Sequence, residues 1–391
     1  MVFLSVLIFL MLTFEINYKK MKKILLISIL IIPFITSAQA VFKSDTGTIS
    51  KAHYRIVFPE NWKNKLVMYA HGYEFMGAPA QSTNPGWPKR MAVFLEKGYA
   101  VAASDYSYQG FALPQGVDDT ENLRKYFFKK YGKPDSTFIV GHSMGGGITI
   151  AIMENFDKNY NGALPLCPFA SRAYLQCRKE FDMYATFNVL FPGVVPSLSN
   201  VMDISVPYKA LNPREFGPKG KAIRDGFMTD SLLAAAFARR FDLKLSDLHM
   251  SLMFNENVLR DNAKKAGGNP FDNTNTIYTG FGNDLEMNKK VERLTATGDP
   301  NKLFGKYDKT GNINKPVLMM HTIYDQLIPP MYGEVNFENM VHKQGKDQNF
   351  TVKYTNGQAH CEFTTQQTAI AFDELRAWVK TGVKAKAGYV E

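Results

Sequence analysis

Thr137-Phe138-Ile139-Val140-Gly141-His142-Ser143-Met144-Gly145 reads as a buried strand that stops in a sharp turn and feeds a helix continuing through Ile148 to Met153. The turn has the pattern G-x-S-x-G, which carries weight only between a strand and a helix, and here it has that setting. A backbone folding back so tightly has no room for side chains two residues either side of its apex, so Gly141 and Gly145 are the residue types that fit. Ser143 is thereby expected to be lifted out of the backbone with its Oγ accessible. The helix N-terminus behind it favours negative charge developing at the same place.

Outward from this turn, short apolar runs alternate with helical patterns. Leu66 to Ala70 (LVMYA), Tyr99 to Ala103 (YAVAA), Thr137 to Val140 and Gly162 to Leu166 form one block of strands; Pro316 to Met320 (PVLMM) and Phe350 to Tyr354 (FTVKY) form a second. Strands and helices in that order imply a mostly parallel sheet with helices on both faces. Pro88 and Gly98 bracket one helix, Asp118 and Asp119 are expected to open another, and a last helix brings Ile370, Leu375, Trp378 and Val379 inward together. Residues 171–310 break the alternation. They are rich in Phe, Met, Leu and Asn, with helical stretches near Glu180 to Leu190, Leu232 to Phe241 and Leu245 to Leu259, and are too long for a structureless loop. A helical insertion over the site is expected, in which some of Phe181, Met183, Phe187, Phe237, Met253 and Phe254 face the cleft and supply apolar contacts to a substrate.

A serine hydroxyl needs a base within hydrogen-bond reach and a carboxylate to fix that base. His360 follows the strand FTVKY through a short loop and precedes the last helix, so it is the expected base. Asp325 stands just beyond PVLMMH and is the expected acid, with Asp308 and Glu362 as substitutes. Two backbone amides must hold the oxyanion: Met144 directly after the nucleophile, and Tyr73 in the loop His71-Gly72-Tyr73 that follows LVMYA, with Gly72 as the neighbouring alternative. His71 is expected to brace that loop, and His142 and His321 to pack.

Composition narrows the class. With 391 residues, 45% hydrophobic and 13% aromatic, the chain buries a large core and is neither disordered nor a small disulfide scaffold. The formal charge is +10, but the basic residues are scattered without a long run, which argues against nucleic acid as a partner. Met21-Lys22-Lys23, the apolar run Ile24 to Ile35 and Ala38-Gln39-Ala40 have the layout of a secretory signal over 21–40, preceded by an extension over 1–20. The apolar run is too short for a membrane span, so a periplasmic or extracellular protein without a stable span is expected. Cys167, Cys177 and Cys361 then meet an oxidising compartment, where either Cys167–Cys177 or Cys167–Cys361 can close. No cysteine–histidine spacing suits a metal, and neither a metal nor a cofactor is expected.

Taken together, HGYEF at 71–75, GHSMG at 141–145, a strand-end aspartate and a late histidine resemble the α/β-hydrolase superfamily. The stretches GKPDSTFIVGHSMGG, GALPLC, GGNPFDNTNTIY and GQAHCEFTTQQTA are similar to secreted bacterial serine esterases and prolyl-oligopeptidase-like hydrolases. The resemblance covers 41–170 and 311–391 as the catalytic domain. It implies an eight-stranded sheet, 171–310 as a helical lid, and hydrolysis of a small-molecule or polymer-derived carboxylic ester. HGYEF departs from the HGGG form of many esterases. A serine peptidase or aminopeptidase is the alternative, needing a carboxylate pair such as Glu180 with Asp182 or Glu256 with Asp261 to hold a substrate amine. A non-catalytic binding protein on the same scaffold is a further one. Oligomeric state and natural substrate stay open.

Overall fold

The apolar runs lie side by side in one sheet in the computed structural model, which describes residues 43–207 and 213–391. The expected leader and cleavage site fall outside the described residues. Nine strands are ordered β1-β2-β4-β3-β5-β6-β7-β8-β9. They are β1 (Lys43–Ile49), β2 (Ala52–Phe58), β3 (Lys65–Ala70), β4 (Tyr99–Ser104), β5 (Ser136–His142), β6 (Gly162–Leu166), β7 (Val317–Thr322), β8 (Phe350–Thr355) and β9 (Gly388–Tyr389). β1 and β2 are antiparallel to their neighbours, and every pairing from β4 to β9 is parallel. This is the α/β-hydrolase arrangement. The sheet has one strand more than the eight expected, because the two-residue β9 adds to its far edge.

Alternation along β5 explains why both faces are covered. Phe138 and Val140 pack with Trp87, Phe94, Phe372 and Trp378 on one side, whereas Ile139 packs with Val117, Phe127, Ile148 and Ile152 on the other. The second face is covered by α1 (Leu113–Tyr131) and α2 (Met144–Phe156). α1 starts at Leu113 with Pro114 in its first turn, ahead of the start expected at Asp118. The two acids have other partners: Asp119 accepts from the Ser107 amide and hydroxyl at 2.7 Å, and Asp118 from Lys306 and Tyr307. The helix expected between Pro88 and Gly98 is instead two single turns, Trp87–Arg90 and Ala92–Leu95, broken at Met91.

Between β6 and β7 the chain forms α3 (Ala173–Leu190), α4 (Pro213–Phe227), α5 (Ser231–Arg240) and α6 (Leu248–Ala266), with shorter helices among them. Asp230 caps α5 by accepting from the Leu233 amide at 3.0 Å, and Gly267 ends α6 in the left-handed region, where a side chain is disfavoured. Phe181, Met183, Phe187, Phe237 and Met253 are almost wholly buried in a core continuous with the inner face of the sheet. Five of the six candidate contacts therefore hold the insertion together, each large side chain contributing about 1.5–3 kcal/mol of burial. After β7 come α7 (Pro330–Lys343) and α8 (Thr365–Thr381), the latter opened by a capping box between Thr364 and Gln367. No described helix is long and apolar enough to cross a membrane.

Two constraints tie the centre of the sheet to its neighbours. A Cβ on Gly145 would collide with the backbone of Ala70 and His71, and one on Gly141 with the backbone of Gly145. Cys167, just past β6, is joined to Cys361, in the loop past β8, with Cα atoms 5.3 Å apart and a separation of 194 positions in sequence; Cys177 stays a buried thiol. Of the two pairings left open by the sequence, the structure has the one that crosses the sheet.

Gly145→Ala is expected to lower stability by about 2–3 kcal/mol, since backbone cannot move aside as a side chain can; an unchanged urea midpoint would contradict this close passage. Reduction of Cys167–Cys361 in the folded protein is expected to lower stability by about 2–5 kcal/mol. Peptide mapping without reductant should recover this pair and no bridge at Cys177; a Cys167–Cys177 peptide would overturn the pairing.

Candidate active site

Ser143 sits at the apex between β5 and α2 with φ of +58° and ψ of −124°. A non-glycine residue in such a conformation stores about 1–3 kcal/mol of strain, which persists only where packing leaves no alternative. Here the Ser143 amide donates to the Leu166 carbonyl and its carbonyl accepts from Gly147 and Phe169, so the turn is held on both sides.

From this perch Ser143 Oγ lies 2.9 Å from His360 Nε2, and His360 Nδ1 lies 2.6 Å from Asp325 Oδ2. The three residues arrive from the ends of β5, β7 and β8, the strands whose C-terminal edges meet there. Asp325 is 1% exposed, and its other oxygen accepts from the Leu327 and Ile328 amides at 2.9 and 2.8 Å. Burial pushes the Asp325 carboxyl up, but the His360 hydrogen bond and charge and the Ile328 amide outweigh it and hold the group below the usual carboxylate value. A carboxyl so depressed adds stability above the usual carboxylate range and loses it as pH falls through its folded value. The His360 backbone is fixed in turn, its amide donating to Gln326 Oε1 at 2.8 Å.

The loop after β3 runs directly against the nucleophile: a Cβ on Gly72 would stand 3.2 Å from Ser143 Cβ. Tyr73 and Met144, the expected oxyanion donors, both line the cavity beside Ser143. The Tyr73 ring packs edge-on against Phe254 of α6, so the inserted helices roof this loop. His71 braces the loop, stacking on Tyr106 at 3.9 Å while the Tyr106 hydroxyl donates to the His71 carbonyl.

The remaining candidates are engaged elsewhere. Asp308 accepts from Arg172 and the Ala173 amide, and Glu362 from the Gln358 amide. His142 pairs with the Tyr69 hydroxyl at 3.0 Å and is held neutral, its pKa pushed down to about 4 by burial. His321 is buried behind the acid, its Nε2 3.9 Å from Asp325 Oδ2. Among the described residues, Cys167, Cys361 and His360 bring sulfur and nitrogen atoms close together, but the sulfurs are bonded to each other and the ring nitrogens of His360 face Asp325 and Ser143.

The cavity at Ser143 is narrow, with about 30 Å³ of open space, and is walled by Phe111, Phe169, Phe254, Val258, Leu327 and Ile328. Phe254 is thus the residue among the six expected contacts that reaches the cavity. Neither proposed carboxylate pair forms. Asp182 is bound by Arg178 and Tyr278, Glu256 by Lys219 and Arg260, and Asp261 by the Tyr108 hydroxyl and the Phe111 amide. The Asp261 contacts, with Lys265 donating to the Phe111 carbonyl, fasten α6 to the loop after β4. No local pattern in the sequence announced this tether, since Asp261 stands out there only as a candidate partner of Glu256 and its contacts lie about 150 positions away.

No family model matches the chain, and no curated protein matches it. Among solved structures it is similar to an acylaminoacyl peptidase of Pyrococcus horikoshii, at 13% identity and a TM-score of 0.47 over 90% of this chain and 43% of that one. It is also similar to an esterase of Pyrococcus furiosus, at 13% identity and 0.45 over 87% and 91% of the two chains. A serine hydrolase of the hydrocarbon-degrading Cycloclasticus zankles gives 15% and 0.42 over 86% and 98%. The chain therefore spans less than half the length of the peptidase. The side chains gathered at Ser143, rather than these distant likenesses, carry the functional reading.

Proposed function

We propose that the protein is a serine hydrolase that cleaves carboxylic esters with short acyl groups through an acyl-enzyme. The observation that carries the reading is the unbroken line from Ser143 Oγ through His360 to Asp325. His360 Nε2 takes the hydroxyl proton as Oγ attacks the carbonyl carbon, and Asp325 stabilises the imidazolium that results. The oxyanion is held by the Tyr73 and Met144 amides, assisted by the positive end of α2. The leaving alcohol then takes the proton from His360, and water attacks the acyl-enzyme by the same route in reverse.

The cavity bears on which part of the ester goes where. It is lined by Ser143, Tyr73 and Met144 but not by His360. The departing oxygen must meet His360 to be protonated, so the cavity away from the histidine takes the acyl side. Its narrowness and apolar wall favour a short aliphatic acyl group. The amine-binding pair that an aminopeptidase needs is absent among the described carboxylates of the insertion, which favours esters over peptides. Export to the periplasm or exterior belongs to the same proposal. It rests on the leader-like pattern at 21–40 and gains support from the disulfide, which persists in oxidising compartments.

Ser143→Ala is expected to abolish ester turnover and fluorophosphonate labelling, and Asp325→Asn to lower kcat about a thousandfold or more with little change in KM. Retained turnover in Ser143→Ala would overturn the mechanism. Across p-nitrophenyl esters from acetate to palmitate, kcat/KM should peak at the short end; aminoacyl anilides cleaved faster than any ester would replace the esterase reading with a peptidase.

A further inference from the structure

One side chain in the cavity at Ser143 has no place in an aliphatic wall. Glu180, on α3, lines it together with Tyr73 and Phe254. It is 8% exposed, and its Oε2 has no hydrogen-bond partner. A buried carboxyl oxygen left unpaired costs about 1–3 kcal/mol, so a hydrocarbon side chain there would give a more stable fold. Lys179, whose charge is felt at Glu180, forms no ion pair with it among the described residues; its ammonium lies over the Tyr332 ring at 4.4 Å. Asp182, Glu256 and Asp261 of the same insertion are each met by hydrogen-bond donors, whereas Glu180 Oε2 is not.

We propose that Glu180 is a substrate-binding residue that reads a hydroxyl group on the acyl chain, so that the preferred substrates are esters of short hydroxy acids. The inference rests on the esterase reading and narrows it. It follows from the geometry: the acyl side occupies this cavity, and an acyl group ending in hydrogen would leave Glu180 Oε2 as unpaired as it is in the empty pocket. A hydroxyl both donates and accepts. A protonated carboxyl does the same, and burial pushes Glu180 up to about 8, so the protonated form dominates at neutral pH. An ammonium would instead require the ionised form in a cavity of otherwise apolar wall, with no second acceptor to share its charge. Cys177, which also borders the cavity, adds only a weakly polar thiol.

The test compares kcat/KM for p-nitrophenyl butyrate with its 2-hydroxy, 3-hydroxy and 3-amino counterparts, in the full chain and in Glu180→Leu and Glu180→Gln. The wild type should favour one of the hydroxy esters over butyrate by about 3- to 10-fold, the worth of one added hydrogen bond. Glu180→Leu should favour butyrate, and Glu180→Gln, which keeps a donor and an acceptor, should retain part of the preference. Equal ratios in wild type and Glu180→Leu would overturn the inference. So would a wild type that prefers the amino ester, which would make the subsite cationic. If Glu180→Leu does not fold, the wild-type ratio still decides, since no hydroxy preference there is fatal. Fluorophosphonate labelling separates the two levels: labelling with butyrate turnover but no hydroxy preference removes only this inference, whereas loss of labelling and turnover removes the serine-hydrolase reading and this one with it.

Discussion

The site depends on one steric constraint, the near-contact of three backbone segments where Gly145 passes beneath the end of β3. Any side chain at that point would push α2 away from the sheet and let Ser143 relax toward an ordinary conformation. With the segments in contact, the positive φ of Ser143 is compulsory, and the strain is held by the surrounding packing. The same contact places the His71–Tyr73 loop against the nucleophile. The positions of Ser143, the His71–Tyr73 loop and the α2 N-terminus are therefore consequences of one close approach, and a single methyl group would disturb all three.

How much of this was legible in the sequence depends on how local the cause was. The strands β3 to β8 show as apolar runs because both of their faces are covered, so every residue is selected for burial. β1, with the sequence KSDTGTI, is an exposed edge strand and carries no such signal, and β9 is two residues long. Ser143, His360 and Asp325 were readable because each stands at a strand end in a fixed order. α1 was misjudged at its start because Asp118 and Asp119 serve distant partners rather than the helix dipole. Three of the inserted helices were visible as elements and α4 was not, and inward and cleft-facing residues have the same apolar character, so periodicity could not tell Phe254 from Phe181. Only the tertiary arrangement separates them.

Burial pushes the Asp325 and Glu180 carboxyls the same way, upward, and their partners make the outcomes differ. Asp325 is almost fully enclosed yet stays ionised, because two amides and an imidazole meet its oxygens. Glu180 is enclosed without such partners and keeps its proton. Environments that drive similar groups apart in this way let one side chain serve charge stabilisation and another serve recognition. Sequence alone contains both acids but not the count of donors around each.

The bridge between Cys167 and Cys361 has a dynamic consequence as well. Loops that carry a catalytic base lie at the surface, and such loops ordinarily open by local fluctuations far cheaper than global unfolding. Here the residue after His360 is fastened to the strand end beside the nucleophile, in the middle of the sheet. The histidine loop cannot swing away without pulling on β6, so amide hydrogens around it should exchange with solvent at rates nearer those of the central strands than of other surface loops. His360 is thus tied through its neighbour to a central strand rather than to the surface alone.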